Sequence, residues 1–466
     1  MNIMKMRTIA MSVLATVVFT TSSFAQEKQT PPTGGPAKAF TVPAHETYAL
    51  PNGMKVTLVP YGNLPKVTLS LVVRTGNLNE PADLTGLADL AGNLMKEGTA
   101  TKSSKQVAEE SARMGGAINI SVGMDESDVS TDVLSEFGPR AAALVADVAQ
   151  HPLLPESELP RLKNDALRQL SISKSVPQSI ALEKFRKILY GNHPYGTVFP
   201  TQESINKATV ADIKKYYEGN FGAARAHLYV AGRFDSAEMK KAIAASFGGW
   251  AKGAAAVSNV PKVTPQHVLD VTDRPDAAQS TIIVGLPVPD ASSPDAIPLG
   301  VTNTLLGGSF GSRITSNIRE QKGYTYSPSS QISRRYHDAY WAESADVTTK
   351  FTGPSLKEIF GEIERLSKEP PAAAELKGIQ SYISGLFVIQ NSSRSALINQ
   401  LRFVDFQGLG EDYLKTYVQK VNAVTPADVQ KQTAEHIKAG QMTIVVVGDK
   451  AKIAEQLAPF TPGAKP

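Results

Sequence analysis

The chain has 466 residues, with 48 basic and 44 acidic side chains, a formal net charge of +4 and no cysteine. Charge is mixed along the chain without tails or blocks, so nothing argues for nucleic acid, and neither a disulfide framework nor a lipid-anchored cysteine can be built. The length exceeds one ordinary hydrophobic core and predicts two or more domains.

Lys5 and Arg7 precede an apolar stretch over residues 9–19, and Ser23-Phe24-Ala25 supplies a small-x-small cleavage site. This predicts a signal peptide over residues 1–25 and a bacterial periplasmic address. A membrane anchor needs roughly 20 continuous apolar residues, and Ser12 and Thr16 interrupt this one. Losing Lys5 and Arg7 takes the charge from +4 to +2. Residues 26–41 are polar and rich in Pro and Gly, a flexible N-terminal segment.

Strands are expected over residues 55–59 and 67–74. A helix follows: Leu84, Leu87, Ala91, Leu94 and Met95 recur at three- and four-residue spacing, one apolar face. On the other face Asp89 and Asn93 stand one turn apart, beside Gly92. Proteases of the HExxH and HxxEH types place two zinc-binding His at that spacing, and here every such ligand is missing. Gly92 costs about 1 kcal/mol against Ala inside a helix, which calls for a packing reason. Ile118, Ile120, Val122 and Met124 then alternate with Asn119, Ser121 and Gly123, a half-buried strand pattern.

An internal repeat organises the rest. INKATVADIKK (205–215) matches VNAVTPADVQK (421–431), and HLYVAGRF (227–234) falls opposite TIVVVGDK (443–450) in the same register without a gap. Thr209 and Thr425 sit where helix N-caps belong. Each copy continues through a buried strand ending at Gly232 or Gly448 into a helix, over 236–247 or 451–457. Two homologous halves are predicted, 42–250 and 265–460, joined by an Ala/Gly/Ser/Pro-rich linker over 251–264. The second half opens with strands over 268–271 and 280–286. Runs of strands followed by runs of helices predict an α+β sandwich with antiparallel-dominated sheets.

In the second half, Ile314 and Ile318 mark one buried helix face and Gly323 suits a C-cap. Arg319 is expected near the helix end, and Tyr326 on a strand starting at 324–327. There both can hydrogen-bond a peptide carbonyl. The plainer reading makes Arg319 half of an ion pair and Tyr326 ordinary strand core. Gly307-Gly308-Ser309-Phe310-Gly311 also fits the serine-hydrolase pattern G-x-S-x-G, with Ser309 as nucleophile. That reading needs a strand over 301–306.

These residues resemble the insulinase/pitrilysin metallopeptidases, in particular their mitochondrial processing peptidase-like branch. Gly86, Ala88, Lys96, Gly98 and Thr99 match the frame of the signature helix, GGAINIS (115–121) the segment leading the cleft strand, and GNHPYG (191–196) a recurring turn. The resemblance implies two insulinase-like α/β halves in tandem, clam-shaped. It places the degenerate metal positions at Asp89, Gly92, Asn93 and Leu170, so no metal and no catalytic residue is expected in this chain alone. None of the seven His has a second His one turn away. Whether Asp89 and Asn93 hold a harder ion stays open. The resemblance implies substrate-binding roles for Arg319 and Tyr326, and for Asn119, Ile120 and Ser121 along the peptide strand. The expected function is that of a non-catalytic, substrate-binding subunit of a periplasmic heterodimeric zinc metallopeptidase, with zinc in the partner. The alternatives are an inactive scaffold or a peptide-binding protein of the same fold.

Overall fold

The structure is a computed structural model that describes residues 41–410 and 412–463. The signal peptide and all but the last residue of the 26–41 segment lie outside the described residues. The described residues belong to one compact unit.

The first sheet contains β1 (Glu46–Ala49), β2 (Lys55–Pro60), β3 (Lys66–Val73), β4 (Asn119–Val122), β5 (Ser127–Leu134) and β6 (Ala226–Gly232), in the order β1-β2-β6-β3-β5-β4. The second contains β7 (Val268–Asp273), β8 (Gln279–Val288), β9 (Ser329–Arg335), β10 (Asp338–Thr348) and β11 (Thr443–Gly448), in the order β7-β11-β8-β10-β9. Without β1, the two orders are the same path. In each, a late strand inserts beside the first, parallel to it, and every other pairing is antiparallel. The inserted strands β6 and β11 are the repeated segments, buried at every position because both neighbours and both faces are covered.

The helices repeat as well. The first half carries α1 (Leu87–Leu94), α2 (Ser104–Arg113), α3 (Gly138–Gln150), α4 (Leu159–Ser175), α5 (Pro177–Tyr190), α6 (Val210–Asn220) and α7 (Ser236–Phe247). The second carries α8 (Ala296–Leu306), α9 (Thr352–Lys368), α10 (Ala373–Gln390), α11 (Arg394–Phe406), α12 (Asp412–Ala423), α13 (Pro426–His436) and α14 (Lys450–Leu457). Thr209 and Thr425 cap α6 and α13 as expected. Each hydroxyl accepts the amide three residues on, at 3.1 and 3.2 Å, and the Asp at that position returns a bond to the cap amide. The two boxes satisfy four otherwise orphaned backbone donors. Between α7 and β7 the chain carries neither helix nor strand.

Each half buries one face of its sheet under its own helices and lends a helix to the other face of its neighbour's. Ala181, Phe185 and Leu189 of α5 pack on Ile283, Tyr340, Val445 and Val447 of the second sheet. Reciprocally, Leu397 and Ile398 of α11 pack on Val59, Val72, Tyr229 and Ala231 of the first. Two ion pairs and a hydrogen bond fix the second contact: Arg394 Nη2 to Asp132 at 2.9 Å, Arg402 Nε to Glu126 at 2.7 Å, and the His227 ring to Asp405 at 3.3 Å.

The strand that the serine-hydrolase reading needs is absent, and so is one expected strand. Residues 301–306 lie inside α8, where Leu299, Leu305, Leu306 and Val301 line one buried helical surface. Residues 324–327 make a single bridge, Thr325 to Val347, and the strand proper begins at Ser329, because Pro328 breaks the ladder in between.

Candidate functional site

Helix α1 begins at Gly86, which has no side chain to cap the helix. Glu80 takes over: its carboxylate accepts the amides of Gly86 and Ala88 at 3.0 and 2.8 Å. Asn77 then bridges two acids, donating Nδ2 to Glu80 at 3.0 Å and to Asp89 at 2.7 Å. Burial pushes Glu80 up to about 7, against the pull of the backbone amides, and raises Asp89 as well, against its hydrogen bond to Asn77. Glu80 was not singled out in the sequence, although a helix start with no Ser, Thr, Asp or Asn cap signals that its amides need a partner.

Asp89, Asn93 and Leu170 border one cavity of about 650 Å³ between α1 and α4, as the signature frame implies. The donors there do not fit a metal. Asn93 Oδ1 already accepts the Lys96 ammonium at 3.0 Å, so an ion would meet a positive charge. Asp89 is held by Asn77, Leu170 is buried and apolar, and Asp165 is engaged by Arg161 and Arg168. Among the described residues, no three His, Cys, Asp or Glu side chains come together as a metal group. Zinc needs three or four N, S or O ligands, and calcium six or more oxygens. Gly92 has its packing reason: a Cβ there would stand 2.6 Å from Val122 Cγ2 of β4. A side chain at position 92 is thus excluded by the neighbouring strand.

The Arg319 site lies in the second half. The helix over 313–321 opens with Arg313–Thr315 and widens to π geometry over Ser316–Gln321. Such widening often marks functional positions. It ends as expected at Gly323, whose φ of +64° suits glycine, with the Tyr324 amide donating to Ile318 O at 2.8 Å. The Arg319 guanidinium is sandwiched between two rings, 4.3 Å from the Phe310 centroid and 4.9 Å from that of Tyr326. Both rings face solvent, at 69 and 79 % exposure. Tyr326 is therefore neither strand core nor on a strand. Phe310 was missed in the sequence, where the glycines around it drew attention to Ser309.

Arg319, Tyr326 and Phe310 border a cavity of about 390 Å³ with Gly307, Gly308 and Tyr382. Stacking fixes the orientation of the guanidinium. Its Nε edge meets Glu320 Oε1 at 3.4 Å, the ion pair of the plainer reading, and its remaining N–H donors can reach carbonyl or carboxylate oxygens. Below the Gly307 turn lies Glu343 of β10, 1 % exposed, whose carboxyl burial raises far above the usual range against the nearby Ser329 amide.

Ser309 is not a nucleophile elbow. It follows a helix rather than a strand, and its hydroxyl donates to Thr304 O at 3.0 Å, closing the end of α8. The edge-strand reading of β4 agrees with the structure: it pairs only with β5, Ile120 points into the core, and Asn119 and Ser121 face out.

Comparison with known proteins bears on both halves. Residues 56–199 match the family described as insulinase (peptidase family M16), and residues 207–382 match the peptidase M16 inactive domain. The uncharacterized zinc protease YmxG of Bacillus subtilis is 26 % identical over 336 residues, 72 % of this chain and 79 % of its own length. An uncharacterized zinc protease of Streptomyces coelicolor is 21 % identical over 417 residues, 88 % of this chain and 90 % of its own. Among solved structures, a peptidase M16 inactive domain from Pseudomonas fluorescens superposes with a TM-score of 0.80 at 24 % identity, over 87 % of this chain and 98 % of that one. A protease from Helicobacter pylori gives 0.82 at 21 % identity, over 88 and 100 %. At that identity the structures speak for the fold alone.

Proposed function

Starting from a chain that belongs to the peptidase M16 (insulinase) family in both its halves, we propose that this member is the non-catalytic, substrate-binding subunit of a periplasmic heterodimeric zinc peptidase. The observation that carries the reading is an asymmetry. Around Asp89, Gly92, Asn93 and Leu170 the metal chemistry is gone and position 92 is closed to a side chain by Val122. In the other half, Arg319 stands between Phe310 and Tyr326 with both rings exposed. Ordering a cation and two aromatic rings at the surface is costly unless something binds them.

In this reading zinc and the hydrolytic step belong to the partner. This chain's residues bind and orient: Arg319 and the Tyr326 hydroxyl donate to carbonyl oxygens of an extended peptide, and the free edge of β4 offers Asn119, Ile120 and Ser121 as a ladder for a peptide strand. Donors of this kind matter most where a carbonyl gains charge.

A tagged chain, recovered from periplasmic extract, tests the proposal. A second chain of similar size carrying zinc and peptide hydrolysis supports it. Arg319→Ala should then leave the complex intact on gel filtration and lower its kcat by about 100-fold or more, the scale for losing one preorganised donor. A chain recovered alone, metal-free and inactive, refutes the subunit reading in favour of an inactive scaffold or free-standing peptide-binding protein.

A further inference from the structure

A second cavity in the second half has an unusual wall. Strand β9 is the outer edge of its sheet, the place that β4 holds in the first half. Alternate residues of a strand share a face. Along β9, Ser330 is buried and Ile332 packs against the core. The next residue of that row is Arg334, so a cation continues the core-facing row of an edge strand. It faces α8 near Gly300: Arg334 Nη2 lies 3.9 Å from where a Cβ on Gly300 would be, an ordinary contact distance.

The exposed Arg334 borders an open cavity of about 460 Å³ lined by α8, α10, α11 and α12. Its side chain makes no hydrogen bond or ion pair with any described residue. The cavity is aromatic: Tyr382, Phe387, Phe403, Tyr413 and Tyr417 line it. Three ring contacts join four of these rings into one wall: Phe387 stacks on Tyr417 at 4.6 Å, Tyr417 meets Tyr413 at 5.9 Å, and Tyr413 meets Phe403 at 6.0 Å. Side-chain amides of Gln390, Asn399 and Gln400 supply donors and acceptors at the border. Gly308 and Tyr382 border this cavity and the Arg319 cavity alike, so the two adjoin.

We propose that this cavity holds the C-terminal residue of a peptide whose last side chain is aromatic or large and aliphatic, with Arg334 binding the free α-carboxylate. The volume falls in the range of small-ligand pockets. A guanidinium with no partner among the described residues selects a carboxylate, which it binds through two parallel hydrogen bonds. The ring wall selects an apolar side chain next to that charge, and the bordering amides suit a peptide backbone rather than a bare hydrocarbon acid. A peptide seated here continues past Tyr382 toward Arg319. The site therefore gives the substrate a direction, its carboxyl end anchored in the second half. This inference rests on the peptide-binding reading above and adds to it a preference for free C-termini.

The test uses the full mature chain and a short peptide, labelled with a fluorophore at its N-terminus and ending in Leu-Phe. It is made once with a free carboxyl and once amidated, and binding is read by fluorescence anisotropy. The acid should bind at least about tenfold more tightly than the amide, the scale of one charge-assisted contact. Arg334→Gln should bring the acid down to the amide's affinity. Arg334 is exposed, so this variant should fold, which circular dichroism checks. Gly300→Leu gains helix propensity and fills the space before Arg334, so it should weaken both peptides. Equal binding of acid and amide, an acid preference that survives Arg334→Gln, or no binding of either peptide would each overturn the proposal. Arg319→Ala separates the two readings: it should weaken acid and amide by the same factor. If it weakens neither while the Arg334 effect holds, the role of Arg319 fails and this site stands.

Discussion

Replacing Gly92 by alanine sets two effects of opposite sign against each other. Within a helix, Ala is favoured over Gly by about 1 kcal/mol. At this position, however, the new Cβ would lie 2.6 Å from Val122 Cγ2, whereas carbon–carbon contacts settle at roughly 3.5–4 Å. Valine is stiff at χ1, and β4 is held in register by its pairing with β5, so the overlap can be relieved only by parting strand and helix. Overpacking of this kind costs about 1–3 kcal/mol. The net expectation is a loss of roughly 0–2 kcal/mol.

Because that difference is small, the decisive quantity is the coupling. Val122→Ala removes Cγ2 and, at a half-buried site, should cost about 1 kcal/mol by itself. In that background a Cβ added at position 92 meets only ordinary contacts, Ile120 Cγ2 at 3.7 Å and the Cβ of position 122 at 4.0 Å. Gly92→Ala should then stabilise by about 1 kcal/mol, giving an interaction between the two substitutions of about 1–3 kcal/mol. The assay is urea unfolding of all four proteins followed by circular dichroism, comparing midpoints at constant slope. If Gly92→Ala is equally stabilising in both backgrounds, α1 and β4 do not meet there and the exclusion of a side chain at position 92 is wrong.

Further expectations follow from the buried acids, the helix caps and the exchanged helix. Glu80 has its carboxyl raised from 4.5 to about 7 in the folded state, so the unfolded chain binds fewer protons between those values. Its contribution is full below pH 4.5 and is lost as pH rises toward 7. Glu80→Gln should flatten that part of a stability–pH curve, and an unchanged slope would count against the burial argument. Glu343 is raised in the same direction. Glu343→Gln should therefore stabilise the chain at neutral pH and progressively less toward pH 4.5, as read from thermal midpoints. Thr209→Ala and Thr425→Ala should each cost about 1 kcal/mol, and similar losses in urea would show that the repeat is energetic as well as formal. Arg394→Ala breaks contacts to both Thr68 and Asp132. With Asp132 partly exposed, a loss of about 1–2 kcal/mol is expected after allowing for screening, and no change in midpoint would mean that α11 is held by its apolar face alone.

What the sequence determined is what depends on near neighbours. The capping boxes at Thr209 and Thr425 span three residues and form as read. The β6 and β11 segments are apolar throughout because each is enclosed on all sides, so their repeat was visible as a run and not only as an alignment. The α1 face, the β4 alternation and the Gly323 helix end follow from period and backbone preference. That residues 89, 92 and 93 are neither His nor Glu is a matter of residue identity and needed no structure.

Tertiary structure decided whatever joins residues far apart in the chain. Nothing local to Gly92 announces Val122, thirty positions on. Neither the exchange of α5 and α11 between halves nor the pairing of Arg394 with Asp132 leaves a periodic trace, since a helix buried against another domain's sheet has the same apolar stripe as one buried against its own. The strand that the serine-hydrolase reading needs over 301–306 is a helix for a related reason: a short apolar run fits a buried helix as well as a strand, and only its packing chooses. Arg319 was singled out through the family resemblance, which does not show its contact with Phe310. The π turn at 316–321 and the fold of the glycine loop bring both Phe310 and Tyr326 against one guanidinium. Side-chain geometry of that kind is fixed by contacts across loops, which sequence spacing alone does not encode.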